Sequence, residues 1–383
     1  MILRNLYSSF IIIVLFLAIS FTGNAQTRVR TEVNFPDIPG YVTLKCDFHT
    51  HTVFSDGSVW PPVRSEEAWR EGLDAFSITD HIEFQPKEED IPTNHNRSFE
   101  LALPSAELLN LILIPGTEIT RDMPPGHFNV LFMEDANVCD KEDHRDAIQA
   151  AIGQGAFVIW NHPGWQQANE IPIWYDEHTE IYKNGWMHGM EIVNERSYYP
   201  LAHQWCLDKG ITMFGNSDIH DPVNLFFDLS QDGIHRALTL VFAKERSADS
   251  IKEALFERRT AVYFENLLIG EEQYLEPIYT NTVSIKNPEI TIKGDGSAHV
   301  QIHNASDIDY TLTANGKVDG LRIPADITLY AGKTILLHVR GVSETRSGIE
   351  TFSIPYTVKN LLVEPDKGLS VNINIAVTFI PEK

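Results

Sequence analysis

The order of short apolar runs along the chain constrains its fold most. Between Tyr41 and Ala243, a run rich in β-branched and aromatic residues is followed by a polar loop, often by a helical segment, and then by the next run. The runs interpreted as strands are Val42–Phe48, Ala75–Thr79, Leu111–Ile114, Phe128–Phe132, Ala156–Trp160, Gly189–Val193, Ile211–Phe214 and Ala237–Phe242. The segments interpreted as helices are Ser65–Gly72, Ser98–Asn110, Asp143–Gly153 and Pro200–Gly210.

Continuous apolar strands that alternate with helices are typical of an α/β domain with a mostly parallel sheet. Seven or eight such strands favour a barrel, although periodicity does not exclude an open sheet. After a helical Ala248–Arg258 and a strand-like Ala261–Phe264, the pattern changes at about Thr282 to alternating apolar and polar positions, as in His299–His303 and Val371–Ile375. This second region predicts a small antiparallel β-sandwich.

The first 25 residues have the features of a secretory signal peptide. Arg4 supplies the positive charge, Phe10–Phe21 the apolar segment, and Gly23–Ala25 a small-residue cleavage site before Gln26. An uncleaved anchor is disfavoured because 12 apolar residues fall short of the roughly 20 that span a bilayer. We therefore expect a secreted or periplasmic protein without a permanent membrane anchor, divided into a signal peptide (1–25), an α/β domain (26–275) and a β-sandwich of unknown role (276–383).

The charge balance limits the class of partner. The 383 residues include 30 Lys and Arg against 53 Asp and Glu, a net charge of −23, which disfavours extended nucleic acid. A small phosphate ester stays compatible if some carboxylates hold cations, because cations reverse the local sign of the charge. Cys46, Cys139 and Cys206 have no metal-type spacing. Cys46 is interpreted as a core residue, and an oxidising compartment would permit one disulfide whose pairing the sequence does not specify.

Potential metal ligands follow the ends of successive predicted strands, mostly the carboxyl ends, where α/β sheets and barrels place their sites. His49 and His51 are two residues apart on an extended segment, so both imidazoles point to the same side. A lone histidine at a strand end is usually structural, but nine imidazoles and carboxylates together predict a cluster of divalent metals, for which Zn, Mn and Fe are suitable. The nine residues are His49, His51, Asp56, His81, Glu118, His127, His162, Asp218 and His220.

In this order, the motifs resemble the polymerase and histidinol phosphatase (PHP) family over residues 44–240. The motifs that carry the resemblance are His49-Thr50-His51, Ser55-Asp56-Gly57, Thr79-Asp80-His81, Gly116-Thr117-Glu118, His162-Pro163 and Asp218-Ile219-His220. The resemblance implies a distorted (β/α)7 barrel with two or three divalent metals. Together with the signal peptide and the β-rich tail, Gly126–Asn129 and Asn161–Trp165 are most similar to secreted PHP-domain phosphodiesterases.

The resemblance also implies a ligand set for each metal. The first metal takes His49, His51, Glu118 and Asp218; the second shares Glu118 and takes His127 and His162; the third takes Asp56, His81 and His220. The third set departs from histidinol-phosphatase-like members, which often have a histidine where Gly57 stands here, so Asp56 would take its role. The chemistry implied is attack on phosphorus by a hydroxide that bridges the metals.

Four residues are candidates for catalysis or phosphate binding. Asp56, Asp80 and His220 could pass a proton to the leaving group, and Asp80 could equally orient a ligand. Arg196 is the first candidate for an arginine fork on phosphate, ahead of Arg121 and Arg97. A further set of residues, Trp165, Tyr198 and Tyr199, could stack on an ester group or simply pack.

The sequence therefore predicts a metal-dependent phosphodiesterase that acts on small phosphodiesters. A phosphomonoesterase on the same site is the nearest alternative, and a non-catalytic, metal-stabilised binding protein is an alternative from another class. The chain has neither a P-loop pattern nor a G-x-S-x-G motif, which argues against an NTPase or a serine hydrolase.

Overall fold

The fold comes from a computed structural model, which describes residues 28–91, 94–227 and 235–382. The predicted signal peptide lies outside the described residues. Within those three segments, no helix combines the length and apolar character needed to cross a membrane.

The first region alternates strands and helices, as the apolar runs predict. Its strands are β1 (Val42–Asp47), β2 (Ala75–Ile78), β3 (Ile112–Ile119), β4 (Phe128–Leu131), β5 (Phe157–Trp160), β6 (Gly189–Asn194), β7 (Ser197–Tyr198), β8 (Thr212–Asn216), β9 (Leu238–Ala243), β10 (Thr260–Phe264) and β11 (Leu267–Gly270). Its helices are α1 (Pro61–Arg70), α2 (Arg97–Leu108), α3 (His144–Gly153), α4 (Asp176–Lys183), α5 (Pro200–Lys209), α6 (Ala248–Phe256) and α7 (Glu272–Thr282). Short 3-10 turns cover Ala136–Cys139, Ala168–Glu170 and Val223–Leu225.

The sheet of this region is mixed, which corrects the expectation of a mostly parallel sheet. The pairs β1–β2, β2–β3, β5–β6 and β6–β8 are parallel, whereas β1–β9, β9–β10, β3–β4 and β4–β5 are antiparallel. The loop between β3 and β4, residues 120–127, explains one reversal. It is too short for the crossover that a parallel neighbour needs, so β4 returns antiparallel to β3.

Strands β8 and β9 are joined through a side chain. The Thr239 hydroxyl accepts from the Gly215 N–H (3.0 Å) and donates to the Gly215 carbonyl (2.9 Å). No backbone ladder between β8 and β9 occurs among the described residues. Closure of the predicted barrel therefore stays a prediction. Gly215 fits closely here, because a Cβ on it would lie 2.3 Å from Cγ1 of Val262.

The second region is a β-sandwich, as predicted. Its strands are β12 (Val283–Ile285), β13 (Glu289–Lys293), β14 (Ser297–Asn304), β15 (Tyr310–Ala314), β16 (Leu321–Arg322), β17 (Asp326–Leu329), β18 (Thr334–Gly341), β19 (Gly348–Glu364) and β20 (Lys367–Ile380). One sheet has the order β12-β14-β18-β16, and the other is built on the long hairpin β19–β20 with β13, β15 and β17. The pairing of β13 with β20 is parallel, so the sandwich is not purely antiparallel.

The two regions share one sheet. Strand β11 pairs in parallel with β19, where Leu268 and Ile269 lie opposite Leu361 and Leu362. Helix α7 runs through the predicted boundary at residues 275/276.

All three cysteines are buried and free, so none of them forms a disulfide. Cys46, a residue of β1, is fully buried in the hydrophobic core, as its apolar run predicts.

Candidate metal centre

The nine predicted ligands meet on one side of the first sheet. His49 and His51 follow β1, His81 follows β2, and Glu118 lies near the end of β3. Asp56 lies in the loop after β1, and the remaining four flank β4, β5 and β8, namely His127, His162, Asp218 and His220. Their ligand atoms form four overlapping sets of three or four within 4.8 Å of one another, which together make up three groups, each around one carboxylate.

The first group surrounds Asp218. Its Oδ1 lies 3.0 Å from Nε2 of His49 and 3.0 Å from Nε2 of His51. Nε2 of His49 also lies 3.6 Å from Oε1 of Glu118, and Nε2 of His51 lies 3.6 Å from Oε2 of Glu118. This is the residue set that the PHP resemblance implies for the first metal.

The second group surrounds Glu118. Its Oε1 lies 2.9 Å from Nδ1 of His127 and 3.6 Å from Nε2 of His162. Its Oε2 lies 2.6 Å from Nδ1 of His81. Glu118 therefore contacts both the first and the second group, as expected of a carboxylate that bridges two metals.

The third group surrounds Asp56. Its Oδ1 lies 3.1 Å from Nε2 of His220, 3.5 Å from Nε2 of His81 and 3.9 Å from Nδ1 of His51. The His51 ring stacks on the His220 ring at a centroid distance of 4.1 Å. The third group is the most exposed of the three at Asp56 and His220, which line a cleft.

The unsatisfied polar atoms of these groups fit a metal cluster. Nε2 of His49, Nε2 of His51, Oε2 of Glu118 and Oδ1 of Asp218 are buried and lie close to one another or to His81, but among the described residues none of them makes a well-directed hydrogen bond. Buried polar atoms normally have partners, because leaving one unpaired costs about 1–3 kcal/mol. Converging imidazole nitrogens and carboxylate oxygens are the donors that Zn, Mn and Fe accept. The residues present therefore fit divalent metals.

Mutual interactions shift the pKa values of the cluster strongly. Burial, reinforced by the charges of His220 and His81, lowers the pKa of His51 to about 3. Burial alone would lower the pKa of His81, but the Glu118 charge and a hydrogen bond to Asp56 outweigh burial and raise it to about 10. Burial would raise the pKa values of Glu118 and Asp218, yet the surrounding imidazoles hold both well below their usual range. The carboxylates are therefore ionised, as metal ligands must be.

Two of the ligands occupy strained backbone conformations. His162 has φ 25° and Asp218 has φ 50°, in the region that non-glycine residues rarely adopt. Such strain persists where the surrounding structure holds a side chain in a functional position.

Comparison with known proteins identifies the family. The chain is 44% identical to a two-domain protein from Bacteroides vulgatus that contains a predicted PHP-like metal-dependent phosphoesterase; the match has a TM-score of 0.85 and covers 91% of this chain and 100% of that chain. This chain belongs to the family of PHP-like metal-dependent phosphoesterases. Residues 283–374 match the DUF5001 family of Ig-like domains.

Two further solved structures resemble this chain more loosely. A Bifidobacterium adolescentis protein to which metal-dependent phosphoesterase activity is attributed is 19% identical, with a TM-score of 0.37, over 46% of this chain and 87% of that chain. An amidohydrolase from Chromobacterium violaceum is 14% identical, with a TM-score of 0.34, over 46% of this chain and 88% of that chain. Comparison with curated proteins finds no match.

Glu191 is the most important residue of the site that the sequence did not reveal. Its Oε1 lies 2.8 Å from Nδ1 of His49, and its Oε2 accepts from the His162 N–H at 2.7 Å. The amides of Asn194 and Asn216 donate to the same carboxylate, each at 2.9 Å. An acidic residue inside the apolar run Gly189–Val193 was the available signal, because a buried carboxylate requires partners.

Asp80 has a supporting position in this PHP-like protein. It is 6% exposed, and its carboxylate accepts from the Thr52 N–H (2.6 Å), the Thr52 hydroxyl (2.7 Å) and the Ser55 hydroxyl (2.8 Å). It does not line the cleft. The geometry therefore favours orientation of the loop after β1 over proton transfer, the second of the two roles considered for Asp80.

The metal groups open into a cleft of about 1160 Å³. Trp165 is 37% exposed and lies over the His127 ring at a centroid distance of 4.4 Å. Phe84 is 51% exposed, and its ring packs edge-to-face with the His81 ring at a centroid distance of 6.0 Å. Tyr199 also lines the cleft, whereas the Tyr198 hydroxyl pairs with His203 at 2.9 Å.

The candidate phosphate-binding arginines occupy different places. Arg196 does not line the cleft; it donates to the carbonyl of Phe226 (2.8 Å) and lies over the Phe227 ring. Arg97 forms a surface pair with Glu100 at 2.8 Å. Arg121 does line the cleft, where it is ion-paired with Glu83. Of the three arginines, only Arg121 is thus near the metal groups.

Proposed function

We propose that this protein is a secreted, metal-dependent phosphoesterase that hydrolyses small phosphodiesters. The observation that carries the proposal is the convergence of nine imidazoles and carboxylates in groups that share His51, His81 and Glu118, with unpartnered buried ligand atoms at their centre. Membership of a family of PHP-like metal-dependent phosphoesterases supports the reaction class. Export rests on the signal-peptide pattern of residues 1–25.

The residues of the chain supply binding, orientation and a route for a proton. When bound, divalent cations of the Zn, Mn or Fe type supply Lewis acidity, which activates water and offsets charge on phosphoryl oxygens. Glu118 contacts imidazoles of the first and the second group, and Oδ1 of Asp218 contacts both His49 and His51, so neighbouring ligand groups are fixed relative to each other. Nε2 of His220, 3.1 Å from Asp56, faces the cleft and can hold a proton for the leaving oxygen when it is not a ligand.

The composition of the cleft favours a diester over a monoester. Arg121 and Lys141 are its lining cations, and Arg121 is already paired with Glu83. Beyond the predicted ligands, the lining includes six carboxylates, those of Glu83, Asp122, Asp140, Glu142, Glu170 and Glu195. A monoester dianion would meet more repulsion here than a diester, which has one charge.

The two exposed aromatic rings support the same choice. Phe84 lies beside His81 and Trp165 beside His127, so both rings border the metal groups in the cleft. Each ring can contact one organic arm of a diester, since aromatic faces pack well on apolar and ring-containing groups.

Two substrates and one substitution test the proposal. With Mn or Zn, we expect the protein to hydrolyse bis(p-nitrophenyl) phosphate with a higher kcat/KM than p-nitrophenyl phosphate. Asp218→Ala should reduce kcat/KM by roughly 1000-fold or more, because it removes a ligand of the first group. Asp366→Ala, in the exposed turn between β19 and β20, is the matched control and should have wild-type activity.

Each alternative gives a different result in this assay. Preference for the monoester would replace the diesterase proposal with a phosphomonoesterase. If Asp218→Ala abolished metal uptake while the wild type showed no hydrolysis of either substrate, the protein would be a metal-stabilised binding protein.

A further inference from the structure

We propose that Arg64 and Lys87 are positioning residues that assemble the third metal group, Asp56, His81 and His220. The inference rests on the proposed function only in requiring a metal cluster, and its test measures metal uptake instead of hydrolysis. Neither residue belongs to the motifs on which the PHP resemblance is based. Both act through backbone carbonyl groups next to the ligands.

Arg64 joins two loops that carry ligands. It lies in α1 and is 1% exposed. Its guanidinium donates to four backbone carbonyls, those of His51 (2.8 Å), Ile219 (2.9 Å), His220 (2.7 Å) and Asp221 (2.9 Å). The remaining partner is Glu67 in the same helix, at 2.6 Å, and the other oxygen of Glu67 accepts from the Val223 N–H at 2.9 Å. The planar fork of arginine thus fixes the loop after β1 against the loop after β8.

Lys87 holds the loop that presents Asp56. Its ammonium group donates to the carbonyls of Ser55 (3.1 Å) and Gly57 (2.9 Å), the two neighbours of Asp56. The loop has no room to adjust at Gly57, because a Cβ there would lie 2.6 Å from the carbonyl carbon of His51. Lys87 therefore reaches from the segment after β2, which carries His81, to the loop that carries Asp56.

Arg64 and Lys87 hold the two loops by donating to backbone carbonyls and not to the ligand carboxylates. Among the ion pairs of described residues, neither Arg64 nor Lys87 pairs with Asp56 or Asp218. A cation bound to either carboxylate would compete with the metal for it. By donating to carbonyls, the two side chains fix the loops and leave the ligand oxygens directed at the metal groups.

The test compares metal binding by the wild-type protein and by a variant with one substitution. Lys87→Met keeps the length of the side chain and removes its three donors. After chelator treatment, Zn or Mn binding is titrated by calorimetry, with the bound metal counted by mass spectrometry. We expect the weakest of the three binding steps to lose affinity by about 10- to 100-fold, as for other groups that orient ligands, while the tighter steps stay unchanged. Lys87→Arg, which restores donors, should recover most of the affinity.

Lys367→Met is the matched control, since Lys367 pairs with Glu364 (2.6 Å) in the sandwich, and its binding steps should equal those of the wild type. An unchanged melting temperature of metal-free Lys87→Met would show that the effect belongs to the site and not to the fold. Wild-type affinity at every step in Lys87→Met would overturn the proposal. A wild type that binds no third metal would also overturn it, while leaving a two-metal phosphoesterase intact.

Discussion

Glu191 places a carboxylate inside the apolar run Gly189–Val193 of β6. Four donors offset the cost of burying it, from His49, His162, Asn194 and Asn216. The contact with His49 also selects a tautomer, because Nδ1–H must donate to Glu191 and Nε2 is left with its lone pair toward Asp218 and the metal groups. A single residue thus determines which atom of His49 can bind a metal.

Glu191→Gln should weaken metal binding without unfolding the protein. Glutamine keeps the shape but presents an NH2 group to at least one donor, so the orientation of His49 or His162 is lost. We expect the metals held by His49 and His162, in the first and second groups, to bind about 10- to 100-fold more weakly in equilibrium dialysis. The control is Glu289→Gln, at an exposed position of β13, which should bind as the wild type does. Equal affinities for Glu191→Gln and wild type would contradict the assigned role.

At the level of single residues, the sequence is more informative about the candidate ligands than about the residues that support them. That the nine candidate ligands lie together could be predicted because each follows or precedes an apolar run, and strand ends in an α/β sheet lie together. Glu191 and Arg64 could not be found in this way, since the groups that they hold include distant ones: Glu191 lies 142 residues from His49, and Arg64 lies 155 residues from Ile219. Arg196 follows a strand, and that position does not reveal that its guanidinium donates to the backbone carbonyl of Phe226.

At the level of elements, one asparagine joins the two regions. Asn360 of β19 donates to the carbonyls of Asn266 (2.8 Å) and Asp309 (2.7 Å). Its carbonyl accepts from the N–H (3.0 Å) and hydroxyl (3.1 Å) of Thr311. The side chain is 8% exposed and so connects the β10–β11 turn with β15 in a largely buried position.

Asn360→Ala should destabilise the protein by about 1–3 kcal/mol, because buried backbone groups would lose their partners. Urea unfolding followed by circular dichroism measures the change, with the slope m expected to stay constant. Metal content should not change, since the hydrogen-bond partners of the Asn360 side chain, namely Asn266, Asp309 and Thr311, are not predicted ligands. Asn315→Ala, whose amide oxygen accepts only from the exposed Thr357 hydroxyl (2.8 Å), should cost less; equal losses for both variants would refute the junction role.

Periodicity predicted most strands and helices but not their pairing. One reversal in the mixed sheet depends on the length of the β3–β4 connection, which strand patterns do not encode. Helix α4 was missed because its sequence, Asp176–Lys183, is mostly polar, and only His178 and Ile181 are buried. The pairing of β11 with β19 joins residues about 90 positions apart, and no local signal predicts it.

At the level of the whole molecule, three histidines outside the site are held neutral. Burial lowers the pKa values of His178, His188 and His203 to about 4 in each case. Nδ1 of His178 accepts the Tyr175 N–H (3.0 Å), and Nδ1 of His188 accepts the Val158 N–H (3.0 Å). Protonation would remove both acceptors, so the folded protein resists it.

Stability should therefore decrease as the pH falls from about 6.5 to about 4. In that window the unfolded chain, with histidine pKa values near 6.5, binds more protons than the folded protein, and each group contributes at most about 1.4 kcal/mol per pH unit. Urea unfolding of chelator-treated protein at several pH values measures the slope. His188→Gln should reduce the slope, whereas a change at the exposed His338 should not. An identical slope for His188→Gln and wild type would disprove the contribution assigned to the buried histidines.

The continuous sheet through β11 and β19 has a consequence for how substrate enters. Two domains that close on a ligand need a hinge, a few residues whose backbone rotates without breaking other contacts. Here any rotation of the sandwich against the first region would break the backbone hydrogen bonds at Leu268 and Ile269. We therefore expect access to the cleft to depend on the loops around it and not on a rotation of the sandwich.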